Sequence, residues 1–338
     1  MTPTAVVILN FNGKAWLNKF LPSVIQYSSS AKIVVADNNS TDGSIEMIAA
    51  EFPQVEVIRI SENLGFCGGY NYALNHLDAV YYVLLNSDAE VTPGWLEPMI
   101  ALLDHDSSIA AVQPKILSYH NKESFEYAGA AGGFIDALGY PFCRGRIFNS
   151  IEKDTGQYDD TIPVFWATGA CVMVRSELYK KMNGLDEDFF AHMEEIDLCW
   201  KLNRAGYQVY YQGLSTIYHV GGGTLAASNP RKTYLNFRNG LSLLVRHLRT
   251  SDLLYKLPLR LFFDWLAAVK FLVDGASSDS GAIMKAHVHF LLGFRKELKK
   301  RRRLTNTLPQ YKARRIYPRL IVIDFYLRGK KFFHQIHF

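Results

Sequence analysis

Short apolar runs and longer amphipathic ones take turns through the first third of the chain. Ala5–Leu9 reads AVVIL without a break, the pattern of a strand covered on both faces. Lys14–Gln26 follows with helical spacing and Trp16, Phe20, Leu21 and Val24 as its apolar positions. Further strands are predicted at Ile33–Ala36, Val55–Ile60, Val80–Leu85 and Ile109–Gln113. Helices are predicted between them at Gly43–Glu51, Gly69–His76 and Pro93–Leu103. This βαβα rhythm predicts a mostly parallel sheet with helices on both faces. It stops at Pro114, and residues 115–163 show no period, which predicts an elaborated loop with short strands. Order returns with Val164–Val174, a helix from Ser176, and a helix at Met193–Ala205 that Gly206 ends. Short strands follow at Gln208–Tyr211 and Ser215–Tyr218.

From about Lys232 onward the pattern is helical. Leu253–Val273 has the length of a membrane span, yet it carries Lys256, Arg260, Asp264 and Lys270 on one side of a helix. A spanning helix rarely holds four charges. The segment is expected to lie in a membrane interface, against the body, or on a second subunit of a homodimer. Gly281–Leu304 is a second such segment. The expected organisation is therefore residues 1–230 as one α/β domain, with halves 1–113 and 114–230, and residues 231–338 as a helical, basic extension.

Charge sharpens that division. The chain of 338 residues has a net charge of +5, but residues 295–338 hold fourteen Lys/Arg against two Asp/Glu, so this tail alone carries +12. Such a tail is expected to meet something anionic, either nucleic acid or an acidic membrane face. Its cations sit among aliphatic helix positions rather than base-stacking platforms, which argues against nucleic acid. Cys67, Cys143, Cys171 and Cys199 form no Cys-x-x-Cys pair and read as buried thiols of a reducing compartment. The start, Met1-Thr2-Pro3, leads directly into a strand without a leader-like apolar segment, so a cytoplasmic location is expected.

The polar residues concentrate where the strands stop. The first strand ends in Asn10-Phe11-Asn12-Gly13 and the second in Asp37-Asn38-Asn39-Ser40. The third is followed by Asn63-Leu64-Gly65, and the fourth ends in Asn86-Ser87-Asp88. In a parallel sheet these four ends gather at one edge, where ligands sit. A nucleotide suits them: Asp37 to accept a pyrimidine N–H, and asparagines to take ribose hydroxyls. Each alone is also an ordinary cap or turn residue. The glycines Gly65, Gly68 and Gly69 spell neither the dinucleotide fingerprint nor the P-loop.

Two further clusters carry chemistry. In His192-Met193-Glu194-Glu195-Ile196-Asp197, three acids open a helix. They favour its N-terminal dipole whatever else they do. Glu194 and Asp197 share a face while Glu195 points elsewhere, and acid pairs of this kind suit general-base work. His219 precedes Gly221-Gly222-Gly223. It is either a structural histidine or, with Asp88, part of a metal site.

The stretches VVILNFNG, VVADNNSTDGS, ENLGFCGGYNYAL, VLLNSDAEV, FWATGACVMVRSE, GLDEDFF, HMEEIDLCWKLNRAGY and YHVGGGT span Val6 to about Thr224. In this order they resemble the family-2 inverting glycosyltransferases, most of all the bacterial rhamnosyltransferase-like branch that builds surface polysaccharides. The resemblance implies a GT-A fold, a Rossmann-like αβα sandwich followed here by amphipathic helices. It implies a nucleotide-diphosphate sugar donor and a glycan or lipid-linked sugar acceptor. A divalent cation, Mn2+ or Mg2+, would assist a single displacement. Asp37 then matches the base-binding acid, with Asn10, Asn12, Asn38, Asn63, Gly65, Asn86 and Ser87 around the donor. Asp88 matches the last acid of the D-x-D metal motif, where Asn86 stands in place of the first. His219 resembles a histidine that some relatives add to the metal. Glu195 matches the catalytic base, although the family has Asp there. Trp166, Glu194 and Asp197 would form the acceptor wall. A lipid-linked acceptor would place the protein at the inner face of the cell membrane, held by its basic helices. The rivals are a sugar-1-phosphate nucleotidyltransferase, whose glycine-rich loop is missing, and a catalytically inactive nucleotide-sugar-binding scaffold.

Overall fold

The computed structural model describes residues 2–127, 129–221, 229–308, 311 and 313–338. Its first half alternates as the sequence predicts: β1 (Thr2–Asn10), α1 (Lys14–Tyr27), β2 (Lys32–Asp37), α2 (Ser44–Glu51), β3 (Glu56–Arg59), α3 (Gly65–Asn75) and β4 (Ala79–Asn86). A short β5 (Ala89–Val91), α4 (Glu97–His105) and β6 (Ile109–Ser118) complete it. Strand β6 runs straight through Pro114, where the periodicity ended. Both faces of β1 are covered: Val6 and Ile8 pack into one apolar cluster, Ala5 and Val7 into the other. This explains the unbroken AVVIL run, since a strand buried on both sides has no polar alternation.

The segment that lacked a period holds a second, small sheet. It is built from β7 (Gly133–Asp136), β8 (Pro141–Cys143), β9 (Arg146–Ile147) and β10 (Ser150–Ile151). The chain then returns to the main sheet with β11 (Thr161–Val164) and β12 (Cys171–Arg175), followed by α5 (Ser176–Lys181), α6 (Glu194–Arg204) and β13 (Gln208–His219). The main sheet has the order β11-β13-β6-β12-β4-β1-β2-β3, with β5 on β13. β1 is parallel to β2 and β4, and β2 to β3. β12 runs antiparallel between β4 and β6. The sheet is thus mixed, because β12 enters from distant sequence between strands that local rhythm would place side by side. The two short strands expected at 208–218 are one strand with an irregularity between Gln212 and Thr216.

The remainder is α7 (Pro230–His247), α8 (Thr250–Val273), α9 (Ser277–Thr307), β14 (Ile316–Tyr317) and α10 (Ile321–Tyr326). β14 pairs with β7, which ties the end of the chain into the small sheet. The charges of α8 do not all face solvent. Arg260 and Asp264 are buried, and Asp264 accepts hydrogen bonds from Arg260 at 2.8 Å and Tyr140 at 2.7 Å. The basic run of α9 is likewise divided. Lys296 and Lys300 pair with Asp188 and Asp186, and Arg301 donates to the carbonyl of Val245 at 2.6 Å.

Candidate functional site

Parallel registry brings the polar strand ends to one edge. Asn10 lies opposite Asp37, and Leu9 opposite Asn86. The Asn10 amide donates to Asp37 Oδ1 at 2.9 Å and to Ser44 Oγ at 2.9 Å, while its carbonyl accepts from the Gly13 N–H at 3.1 Å. Asp37 Oδ2 accepts from the Ser40 N–H at 3.0 Å. Asn38 donates to Asn63 Oδ1 and to the Gly65 carbonyl, both at 3.0 Å. Asn10, Asp37 and Asn38 are therefore buried members of a network that shapes the loops. Asn12 and Asn63 stand at the surface, and Asn86 and Ser87 are half-buried. Gly65 sits at φ 71°, and a Cβ there would lie 3.1 Å from the Phe190 ring. Glycine is required twice over at that point, for backbone and for space.

The antiparallel pairing of β5 with β13 sets His219 against Ala89, and so beside Asp88. His219 Nε2 is 3.1 Å from Asp88 Oδ1 and 3.2 Å from the Asn86 amide. On the other side of the ring, Nδ1 is 3.6 Å from Glu126 Oε1. Burial alone would lower the imidazole pKa, but Asp88 and Glu126 outweigh it and push it up to about 10. Adjacent ligand atoms about 2.1 Å from one ion lie about 3 Å apart, which the Asp88–His219 spacing fits. Glu126 stands behind the far nitrogen at ion-pair rather than hydrogen-bond distance, on the side where a metal-binding histidine takes its support. Among the described residues, no group of three or more His, Cys, Asp or Glu side chains could hold an ion by itself. Gly222 and Gly223 of the glycine loop lie outside the described residues.

The acid cluster starts α6, after a turn in which Phe190, His192 and Met193 have φ of 65°, 67° and 75°. Such angles are costly for residues other than glycine. Asn239 of α7 holds the turn by donating to the carbonyls of Phe189, Ala191 and His192 at 3.1, 3.0 and 2.7 Å. Burial pushes the Glu195 carboxyl up to about 7. Burial and the neighbouring Glu195 charge push Glu194 well above the usual carboxylate range. Neither Glu194 Oε2 nor Glu195 Oε2 has a hydrogen-bond partner among the described residues. Gly169 links this cluster to the Asp88 edge. A Cβ on Gly169 would lie 3.9 Å from Glu194 Oε1, and the next residue, Ala170, accepts from the Asn86 N–H at 3.0 Å.

Two residues expected on an acceptor wall are elsewhere. Asp197 is buried and faces the helices, 2.9 Å from His247 Nε2, 3.1 Å from Lys201 Nζ and 4.0 Å from Arg246. Burial opposes its charge, but Lys201, His247 and Arg246 prevail and hold it far below the usual carboxylate range. Trp166 is buried against Gly133, and its indole N–H donates to the Phe134 carbonyl at 2.9 Å, so its ring is a core element rather than a sugar platform. Glu126 and Asn239 escaped the sequence reading. Glu126 lies in the unpatterned 115–163 stretch, and Asn239 is one polar residue on an amphipathic helix; nothing local marks either.

Residues 5–182 match the profile of Glycosyl transferase family 2. Over 234 residues, 63% of this chain and 75% of the relative, the protein is 24% identical to the N-acetylglucosaminyl-diphospho-decaprenol L-rhamnosyltransferase of Mycobacterium tuberculosis. Over 243 residues, 70% of this chain and 73% of the relative, it is 23% identical to the low-salt glycan biosynthesis hexosyltransferase Agl10 of Haloferax volcanii. Its fold resembles GalNAc-T7 solved with UDP, GalNAc and Mn2+, with a TM-score of 0.57 and 15% identity, covering 92% of this chain and 58% of that one. It also resembles the mannosyltransferase PcManGT of Pyrobaculum calidifontis in complex with GDP-Man and Mn2+, with a TM-score of 0.53 and 14% identity over 91% of this chain and 86% of that one. With a family profile covering more than half its length and a GT-A architecture, this chain belongs to glycosyl transferase family 2 and is a glycosyltransferase.

Proposed function

We propose that the protein moves a sugar, rhamnose being the leading choice, from a nucleotide-diphosphate donor to a hydroxyl of a glycan or lipid-linked acceptor, with inversion. The observation that carries this reading is the meeting of Asp88 and His219 at the edge where β1, β2 and β4 end. Asp37 offers its remaining carboxylate lone pairs to a pyrimidine N–H. Asn12, Asn63 and Ser87, with Asn10, Asn38, Gly65 and Asn86 shaping the loops behind them, surround the ribose and diphosphate. Asp88 and His219 Nε2 would hold a divalent cation, Mn2+ suiting a mixed carboxylate and imidazole pair. When bound, that ion supplies Lewis-acid neutralisation of the departing diphosphate.

Glu195 is the base. Burial raises its carboxyl to about 7, which suits a base working near neutral pH, whereas burial and the Glu195 charge push Glu194 well above the usual carboxylate range. The Glu195 carboxylate takes the proton of the acceptor hydroxyl. That oxygen forms its bond to the anomeric carbon as the carbon–diphosphate bond breaks on the opposite face, and the bonding pair leaves with the diphosphate. Glu194 lines the acceptor side beside it. A lipid-linked acceptor would bring the protein to the cytoplasmic face of a membrane as a peripheral protein. A homodimer remains a compatible assembly.

The test is donor binding by thermal shift with UDP- and dTDP-sugars, in Mn2+, Mg2+ and chelator. Tighter binding with metal, lost in Asp88→Ala, is expected. Equal binding in metal and chelator would remove the metal role of Asp88 and His219.

A further inference from the structure

Helix α8 is built inside out. Its polar stripe, Arg260 and Asp264, is buried, with Tyr140, His287 and the Leu138 carbonyl as partners. Its apolar stripe faces outward: Phe262 is 56% exposed, Trp265 49%, Val269 53% and Val273 81%. These positions recur at helical spacing, so they form one continuous ridge. Helix α9 turns back beside it, with the Trp265 and His287 rings 6.3 Å apart. On its outer side Leu292 is 80% exposed. The same side of α9 continues from Leu292 into Arg295 and Lys299 at helical spacing, both exposed, with Arg302 and Arg303 beyond them. An apolar ridge of this size on a folded protein marks an interaction surface.

We propose that the outer face of α8 and α9 is a membrane-docking surface, with its apolar ridge in the interfacial layer and Arg295, Lys299, Arg302 and Arg303 on anionic headgroups. Charge selects lipid over a second copy of the chain. A two-fold contact through this face would set these cations against themselves. The two acids of residues 295–338, Glu297 and Asp324, are buried and already paired, Glu297 with Arg246 and Asp324 with Arg328. An anionic bilayer offers complementary charge and an apolar layer together. Among the described residues no helix is long and apolar enough to cross a membrane, so the ridge lies along the surface. Lys296, Lys300 and Arg301 take no part, since Asp186, Asp188 and backbone carbonyls hold them.

The surface does not depend on the donor chemistry, and the experiment keeps the two apart. The full chain is floated with vesicles of phosphatidylcholine alone or mixed with phosphatidylglycerol, and donor-sugar thermal shift is read in parallel. Wild-type protein is expected to float with the mixed vesicles. The double variant Phe262→Ser/Trp265→Ser should lose roughly tenfold in partitioning while keeping its donor response. Arg295→Ala/Lys299→Ala should lose the preference for phosphatidylglycerol. Trp265→Phe should still float but lack the blue shift of tryptophan emission seen on vesicle addition. Protein that stays unbound, or variants that float like wild type, would overturn the proposal. So would a dimer in light scattering that Phe262→Ser/Trp265→Ser converts to monomer without any vesicle binding. A chain that floats but ignores every donor would sink the transferase reading and leave this one standing.

Discussion

Glu195 and Asp197 are two residues apart on the same helix, the first half-buried and the second buried, and their pKa values move in opposite directions. The difference lies in what faces them. Asp197 meets Lys201 one turn along α6 and, across on α7, Arg246 and His247. Glu195 lines a small apolar void with neighbours such as Phe66 and Cys199, with Glu194 next to it. A buried acid surrounded by cations holds structure, because its charge is already matched. A buried acid without a cation is destabilised in its ionised form, and that makes it an effective acceptor of protons near neutral pH.

Breaking the unmatched side should give the largest effect. Glu195→Gln is expected to lower transfer by about 10²–10⁴ with donor affinity kept, as measured by initial rates and by donor thermal shift. An inactive Glu194→Gln beside an active Glu195→Gln would reverse the assignment of the base. In wild-type protein, the raised value means that activity should rise with pH through about 7, as the carboxyl loses its proton, and a flat profile between pH 6 and 8, roughly the window a base near neutrality must titrate in, would count against it.

Breaking the matched side should act on stability instead. Asp197→Asn leaves Lys201 without its buried carboxylate partner and should cost about 3–5 kcal/mol in denaturant unfolding. The folded Asp197 value lies below its unfolded one, so its contribution is complete above the ordinary carboxylate range and is lost as pH falls through and below it. Wild-type stability should therefore drop on acidification more steeply than that of Asp197→Asn. Asn239→Ala should come next. It leaves the carbonyls of Ala191 and His192 without their donor and should cost about 2 kcal/mol. It should also lower kcat, since the turn that aims Glu195 then keeps only the Arg238 contacts to the Asp188 and Phe189 carbonyls. The smallest effect belongs to Glu90, whose ion pair with Lys122 at 2.9 Å is largely solvent-exposed. Glu90→Gln should change stability by less than about 1 kcal/mol, and screening by salt should erase the difference.

The same contrast explains what local pattern reveals. The first half was legible to within a few residues at most strand and helix ends. There each strand finds its partners close by in sequence, and AVVIL can only be a doubly covered strand. The polar ends at Asn10, Asp37 and Asn86 were legible as a converging edge for the same reason. Asp88 and His219 were individually visible, but their contact depends on β5 joining β13, a pairing across 131 residues. Trp166 and Asp197 were misplaced because an aromatic or an acid looks the same in sequence whether it faces a ligand, a glycine or a buried arginine.

By itself the sequence determined the alternating α/β body, the polar strand ends, the acid pair and the amphipathic character of α8 and α9. These follow from periodicity and from residue chemistry, which act over a few turns or a strand's length. Tertiary structure alone decided the insertion of β12 between β4 and β6, the pairing of Glu126 with His219, and the opposite fates of Glu195 and Asp197. It also decided which face of α8 turns inward. Hydropathy defines two faces of a helix, but only the buried partners Tyr140, His287 and the Leu138 carbonyl make the charged face of α8 the inner one.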